Sequence, residues 1–296
     1  MKARTSDTFA QPRLVAASDA GLPATPAAMA LSDEQYRFWD DNGYLVLKGA
    51  LDPDQVREIL AMVDAEWTER EGNDHLVDIL SGEDAWKSFQ LNEARPEHRR
   101  EVYKLNNLFL RRERLRRIAL APVIKDALHG ILGGEPLICN SLNFERGSQQ
   151  PFHLDTWYMP PPVEGMMVAA NIALEPMTPD NGPFIYYPGS HKIPVWRFSH
   201  GLLNIIEDER EACEAYLNAE VERRGLKAET FSCEAGDVFL WHAQLYHGGS
   251  PIRDMSQTRN SLVIHYWRSQ DLPAEMVRTD ASGDYLAHTL RGEIAA

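Results

Sequence analysis

The sequence predicts a mainly β protein with N-terminal and flanking helices, its core a double-stranded β-helix of the jelly-roll or cupin kind. Three observations carry that expectation. Short apolar runs follow one another beyond Pro136, at 137–144, 166–174, 183–187, 237–241 and 261–267. Turn signals separate them: Arg146-Gly147-Ser148, Pro179-Asp180-Asn181-Gly182 and Pro188-Gly189-Ser190, the texture of a sandwich or barrel. Helical periodicity with capping signals, in contrast, is concentrated ahead of Pro136.

Taken in order, residues 1–30 are rich in Ala, Pro, Ser and Thr without periodicity and are expected to form a disordered tail. Ser32-Asp33-Glu34-Gln35 is a capping box, and the helix it opens carries Tyr36, Phe38 and Trp39 and stops at Asp41-Asn42-Gly43. Tyr44-Leu45-Val46-Leu47 reads as a strand. Asp52-Pro53-Asp54-Gln55 caps a second helix, on which Val56, Ile59, Leu60, Val63 and Trp67 recur on one face. Residues 68–103 are polar and carry no periodic signal, with Trp86 and Phe89 as anchors. The basic run at 111–117 reads as a solvated helix face, and a helix over 122–132 ends at Gly133-Gly134. One helical insertion, near 203–225, interrupts the strands. The expected organisation is therefore one domain over 31–296 behind the tail.

Composition narrows the function classes. A formal charge of −14 argues against nucleic acid or an anionic membrane as partner through the overall field, without excluding a local basic pocket. No apolar run approaches the roughly 18 residues of a membrane span, and no signal-peptide core is present at the N-terminus. Cys139, Cys213 and Cys233 are sparse, odd in number and without a CxxC, which fits a reducing cytoplasm.

The chemistry-bearing stretch is Pro151-Phe152-His153-Leu154-Asp155-Thr156-Trp157. In extended backbone, residues i and i+2 share a face, so His153 and Asp155 point the same way. An imidazole beside a carboxylate is two thirds of the 2-His-1-carboxylate facial triad that holds non-haem iron. The remaining histidine must come from another strand. Candidates downstream are His191, His200, His242, His247, His265 and His288, and His247 stands beside Gly248 and Gly249, where backbone can come close to a ligand. Arg259, at the start of the last long strand, can take a carboxylate bidentately.

This set resembles the phytanoyl-CoA dioxygenase family of Fe(II)/2-oxoglutarate oxygenases. The likeness extends to Asp41-Asn42-Gly43-Tyr44 with Leu51-Asp52-Pro53, to Ile172-Ala173-Leu174 with Asn181-Gly182-Pro183 and Pro188-Gly189-Ser190-His191-Lys192, and to Gly236-Asp237 with His242 and His247. It implies that His153, Asp155 and His247 bind Fe(II), with His242 the competitor for the third place. It further implies that Arg259 anchors 2-oxoglutarate, with O2 as the other co-substrate. Asn143 and Asn171 are candidate co-substrate contacts, Trp157 is a candidate substrate contact, and His191 is read as structural. The implied reaction oxidises a C–H bond of a small molecule while 2-oxoglutarate becomes succinate and CO2. A carboxylate at Asp155 favours oxygenation over halogenation, because halogenating relatives carry a small residue there. Two other readings remain at this stage: a cupin-like metalloenzyme of another class, such as an isomerase or hydrolase, and a non-catalytic metal- or ligand-binding barrel.

Overall fold

A computed structural model describes residues 31–70 and 72–288; the expected tail at 1–30 lies outside the described residues. The strands are β1 (Tyr44–Leu47), β2 (Leu76–Ile79), β3 (Ser88–Gln90), β4 (Tyr103–Asn106), β5 (Pro136–Phe144), β6 (Val168–Ala173), β7 (Phe184–Tyr186), β8 (Glu229–Thr230), β9 (Val238–His242), β10 (His247–Gly249), β11 (Ser261–Arg268), β12 (Val277–Asp280) and β13 (Gly283–Leu286). The helices are α1 (Asp33–Asn42), α2 (Pro53–Thr68), α3 (Glu113–Ala119), α4 (Pro122–Leu132) and α5 (Arg210–Arg224).

A large sheet runs β1-β9-β6-β11-β5-β4-β2-β3, with the β12–β13 hairpin attached beside β5. A small sheet runs β10-β7-β8. Alternation along the central strands decides what each face covers. Val238 and Leu240 on β9, Ala170 and Ile172 on β6, and Leu262 and Ile264 on β11 pack into one core with α2, α3 and α4. Their neighbours Phe239, Trp241, Ala169, Ala173 and Val263 pack instead against Phe184 and Tyr186 of the small sheet. The jelly-roll expectation is met, and the space between the two sheets is where polar residues of the right parity must converge.

The predicted caps are present. Ser32 and Gln35 close the box on α1, Asp52 and Gln55 close the one on α2, and Gly43 ends α1 at φ 76°. A Cβ at Gly43 would lie 2.3 Å from the His191 ring, so the residue is constrained twice. Helix α2 buries Val56, Ile59, Val63 and Trp67, each worth about 1.5–3 kcal/mol. On α1 only Trp39 is buried, while Tyr36 and Phe38 stay largely exposed at the edge of the fold. The basic run is mostly neutralised at the surface, Arg111 by Asp74, Arg112 by Glu66, Arg114 by Glu58 and Arg117 by Glu113. Arg116 alone is buried, bonded to the Phe109 carbonyl and Asp280 beneath the Tyr285 ring.

Strands β2 and β3 fall in the stretch without a periodic signal, and β4 begins where it ends. They are short and partly polar, and each extends the large sheet by pairing, β4 on β5, β2 on β4 and β3 on β2.

Candidate active site

His153 and His247 face one another across an isolated antiparallel bridge between the 148–152 loop and β10. The His153 amide donates to the His247 carbonyl at 2.8 Å, and the His247 amide returns the bond at 3.2 Å. Glycines make the approach possible. A Cβ at Gly248 would meet the Gln150 carbonyl oxygen at 2.9 Å, and one at Gly249 would meet the Gln149 nitrogen at 2.6 Å. What comes close to these glycines is thus the loop that carries His153. The His-x-Asp segment is extended only through Leu154, and Asp155 opens a single 3-10 turn, Asp155–Trp157. The turn is pinned by Gln244, whose side chain donates to Thr156 Oγ1 at 2.9 Å.

Both imidazoles are fixed in the same way. His153 Nδ1 bonds the Pro151 carbonyl and His247 Nδ1 bonds the Leu245 carbonyl, each at 2.8 Å. A carbonyl only accepts, so both Nδ1 atoms donate and both Nε2 lone pairs are left for another partner. Asp155 Oδ2 accepts from Trp241 Nε1 at 2.8 Å, which turns Oδ1 toward the histidines. Oδ1 lies 3.6 Å from His247 Nε2 and 4.0 Å from His153 Nε2, and one ligand atom from each residue falls within 4.8 Å of the others. Burial, reinforced by the neighbouring His247, pulls His153 down to about 3, and burial also lowers His247 against the pull of Asp155. Burial would raise the Asp155 carboxyl, but His247, His265 and His153 outweigh it and hold it well below its ordinary range. Two neutral imidazoles and one anionic carboxylate, buried together, are a donor set for a divalent cation.

A narrow inner cavity leads from these residues to Arg259, with Asn171 and Phe184 on its walls. Arg259 is buried, and among the described residues no carboxylate pairs with it; Nη1 reaches only the Met177 sulfur at 3.7 Å, and Nε has no partner. Burial lowers it to about 10. A guanidinium kept in that condition fits an anionic ligand better than an empty cavity. Asn171 Oδ1 is buried and unpartnered there as well.

Asn143 is not brought to the cavity. On β5 it has the opposite parity to Leu142 and Phe144, which line the inner cavity, and its side chain donates to the Ser261 carbonyl at 3.1 Å. Trp157 lines a larger outer cavity of about 630 Å³ that shares His153 and Asp155 with the inner one. His242 lies apart, against Trp39 and His191, with Nδ1 accepting from the Gln244 amide. His191 Nε2 bonds the Asp40 carbonyl and so ties its turn to α1, a structural contact.

Sequence reasoning did not find the roles of two residues. Trp241 read as an apolar strand residue, yet it orients Asp155. His265, a candidate for the third ligand passed over in favour of His247, places Nε2 3.4 Å from Asp155 Oδ1 without a hydrogen bond to either ring nitrogen. It is in phase with Val263 on β11, but which face of that strand meets the cavity is set by the fold.

Comparison with known proteins agrees with this geometry. The family model described as phytanoyl-CoA dioxygenase matches residues 39–260. Peroxisomal phytanoyl-CoA dioxygenase of Rattus norvegicus is 22% identical over 264 residues, 81% of this chain and 69% of that protein. The Mus musculus protein is 26% identical with the same coverage. In fold, the chain is similar to the non-haem α-ketoglutarate-dependent carbocyclase SnoK of nogalamycin biosynthesis (TM-score 0.60, 20% identity, covering 83% of this chain and 88% of that one). It is similar also to EctD from S. alaskensis with 2-oxoglutarate and 5-hydroxyectoine (TM-score 0.57, 18% identity, 84% and 80%). The chain belongs to the phytanoyl-CoA dioxygenase family and is a non-haem iron, 2-oxoglutarate-dependent dioxygenase.

Proposed function

We propose that the enzyme hydroxylates, or otherwise oxidises, an unactivated C–H bond of a small-molecule substrate, with His153, Asp155 and His247 as the iron ligands and Arg259 as the anchor of 2-oxoglutarate. The observation that carries the reading is the pairing, in one buried space, of a tied-back His-Asp-His set with an arginine that has no carboxylate of its own. Bound iron and 2-oxoglutarate supply the oxidising power, using O2 and releasing succinate and CO2.

The chain's own part is positional. The Pro151 and Leu245 carbonyls hold each imidazole by Nδ1, so Nε2 faces the metal position. Trp241 holds Asp155 by Oδ2 and leaves Oδ1 as the ligating oxygen. Arg259, desolvated at the far end, meets the remote carboxylate of the dicarboxylate, with Asn171 beside it. Phe184 lies at 5.0 Å, nearly parallel to the His247 ring, and helps keep water from that side. Trp157 faces the substrate side.

We read residues 31–296 as one oxygenase domain, since β1 near the start pairs β9 far along the chain. The three cysteines are buried free thiols, which supports a cytoplasmic setting, and among the described residues no helix is long and apolar enough to cross a membrane.

The test is anaerobic titration of the Fe(II) protein with 2-oxoglutarate. A weak visible charge-transfer band is expected, and Arg259→Ala should weaken 2-oxoglutarate binding by about 10- to 100-fold, the loss of one or two charge-assisted hydrogen bonds. Absence of the band, together with unchanged 2-oxoglutarate binding in the variant, would refute the proposal.

A further inference from the structure

Among the described residues, His265 alone is a histidine with both ring nitrogens buried and unbonded. It is 1% exposed, on β11, and lines the inner and the outer cavity alike. A β-bulge aims it there. The register between β11 and β5 slips after His265: His265 faces Asn140 while Tyr266 faces Ile138, which leaves Cys139 as the extra residue. Bulges bend a strand and re-aim its side chains, and here Cys139 and Asn140, neighbours in sequence, both reach the outer cavity. The Cys139 thiol donates to the His265 carbonyl at 3.3 Å, so the bulge is fastened at the histidine itself.

The three imidazoles around Asp155 are not equivalent. His153 and His247 donate Nδ1–H to carbonyls, which leaves Nε2 as a lone pair for a metal. His265 Nδ1 has no carbonyl, and the acceptor beside the ring is Asp155 Oδ1, 3.4 Å from Nε2. A neutral imidazole carries one N–H, and a carboxylate at that place draws it to Nε2. His265 therefore presents a donor where the other two present lone pairs. The possible ligand atoms that lie within 4.8 Å of one another are those of His153, Asp155 and His247, without His265.

The inner cavity has to receive a dicarboxylate. With the remote carboxylate on Arg259, the keto acid end comes to lie beside Asp155, because a 2-oxo acid chelates a metal through that end. Two carboxylates brought together in a buried space repel unless charge or donors offset them. Three buried polar groups on the walls have unbonded atoms: Arg259 Nε, Asn171 Oδ1 and both nitrogens of His265. Asn171 Oδ1 only accepts, and Arg259 serves the remote end. His265 is the donor that remains, and it stands at Asp155.

We propose that His265 is a further co-substrate residue: its Nε2–H donates to the carboxylate at the keto acid end of 2-oxoglutarate and holds that carboxylate off Asp155. This rests on the oxygenase reading above and deepens it.

The experiment is anaerobic calorimetric titration of the Co(II)-loaded protein with 2-oxoglutarate and with pyruvate, which keeps the keto acid end and lacks the remote carboxylate. Wild type is compared with His265→Leu, with Arg259→Ala and with His265→Gln, whose amide nitrogen stands where Nε2 does. Thermal melting checks each fold. His265→Leu should bind both acids about 10- to 100-fold more weakly, the loss of one hydrogen bond to a charged group, while Co(II) affinity stays within about threefold of wild type. His265→Gln should regain most of that loss. Arg259→Ala should weaken 2-oxoglutarate and leave pyruvate unchanged. Should His265→Leu not fold, His265→Asn, whose amide stops one bond short of Nε2, serves as the loss variant. Unchanged 2-oxoglutarate binding in the loss variant, or a fall in Co(II) affinity as large as the fall in 2-oxoglutarate affinity, would overturn the proposal. So would a loss that His265→Gln does not reverse or that pyruvate does not share. If the His265 results hold while Arg259→Ala binds 2-oxoglutarate as wild type does, the oxygenase reading loses its anchor and this inference stands. In the reverse case this inference alone fails.

Discussion

Replacing Trp241 by phenylalanine tests whether the iron site depends on how its carboxylate is held. Trp241 is 1% exposed and donates Nε1–H to Asp155 Oδ2 at 2.8 Å. Phenylalanine keeps a ring in the intersheet core but removes the donor, leaving a buried carboxylate oxygen unsatisfied. A hydrogen bond to a charged group contributes about 1.5–3 kcal/mol. Loss of a residue that orients a metal ligand costs 10- to 100-fold in affinity, or about 1.4–2.7 kcal/mol. The two estimates overlap, so a 10- to 100-fold weaker dissociation constant is expected for Co(II), read from its visible absorption without redox complications. Tryptophan to phenylalanine also leaves a small void. Trp67→Phe controls for it, because Trp67 is likewise buried and donates to Tyr103 Oη at 2.9 Å in the packing of α2, with no hydrogen bond to Asp155 or to either histidine of the set. Trp67→Phe should lower the melting temperature and leave Co(II) affinity within twofold. If Trp241→Phe binds Co(II) as wild type does, or if the two variants lose affinity equally, the orienting role is refuted.

Two further perturbations probe the frame around the site. Gly248→Ala forces a Cβ to within 2.9 Å of the Gln150 carbonyl and 3.2 Å of the Phe152 nitrogen, backbone atoms that cannot swing away. A loss of about 1–3 kcal/mol in chemical denaturation is expected, with weaker Co(II) binding, whereas Gly225→Ala, whose Cβ meets nothing within 4 Å, should change stability alone. Asp237 is buried, which would raise its carboxyl, yet bonds from Lys48 at 2.7 Å, Gly49 N at 2.8 Å and Glu234 N at 3.1 Å hold it below its ordinary value. A folded-state value below the unfolded one stabilises the protein above the ordinary carboxylate range, and that contribution disappears as pH falls through the folded value. Asp237→Asn should therefore be less stable than wild type by about 1–2 kcal/mol at pH 7, with the gap closing toward pH 3; a gap independent of pH would remove Asp237's charge from the explanation. Lys48 is mostly exposed and screened, so the two amides carry most of that effect.

What the sequence made legible follows from period and punctuation. His153 and Asp155 share a face whether the segment continues as strand or, as here, turns after Leu154. His247 declared itself through glycines, although these admit the 148–152 loop where a ligand had been expected. Parity relative to the cavity was not legible. Asn143 and Asn171 look alike as polar residues on apolar strands, but only Asn171 is in phase with Ala169 and Ala173 on the cavity face. The same register places His265 inward with Val263 and turns Trp241 toward Asp155. Strands β2 to β4 escaped notice because they are only three or four residues long and partly polar, yet Asp78, Ser88, Lys104 and Asn106 on them line the outer cavity.

The pairing of charged groups then separates the two cavities. The inner end keeps a cation without a carboxylate, so charge decides what enters there. At the outer end Lys104 faces Asp78 and Arg210 faces Glu207, so the cations that line it stand beside acids. The −14 formal charge of the chain bears on neither choice, because the field inside is set by pairs a few ångströms apart while distant surface charges are screened. His265, on the walls of both cavities and 3.4 Å from Asp155 Oδ1, stands where the two regimes meet.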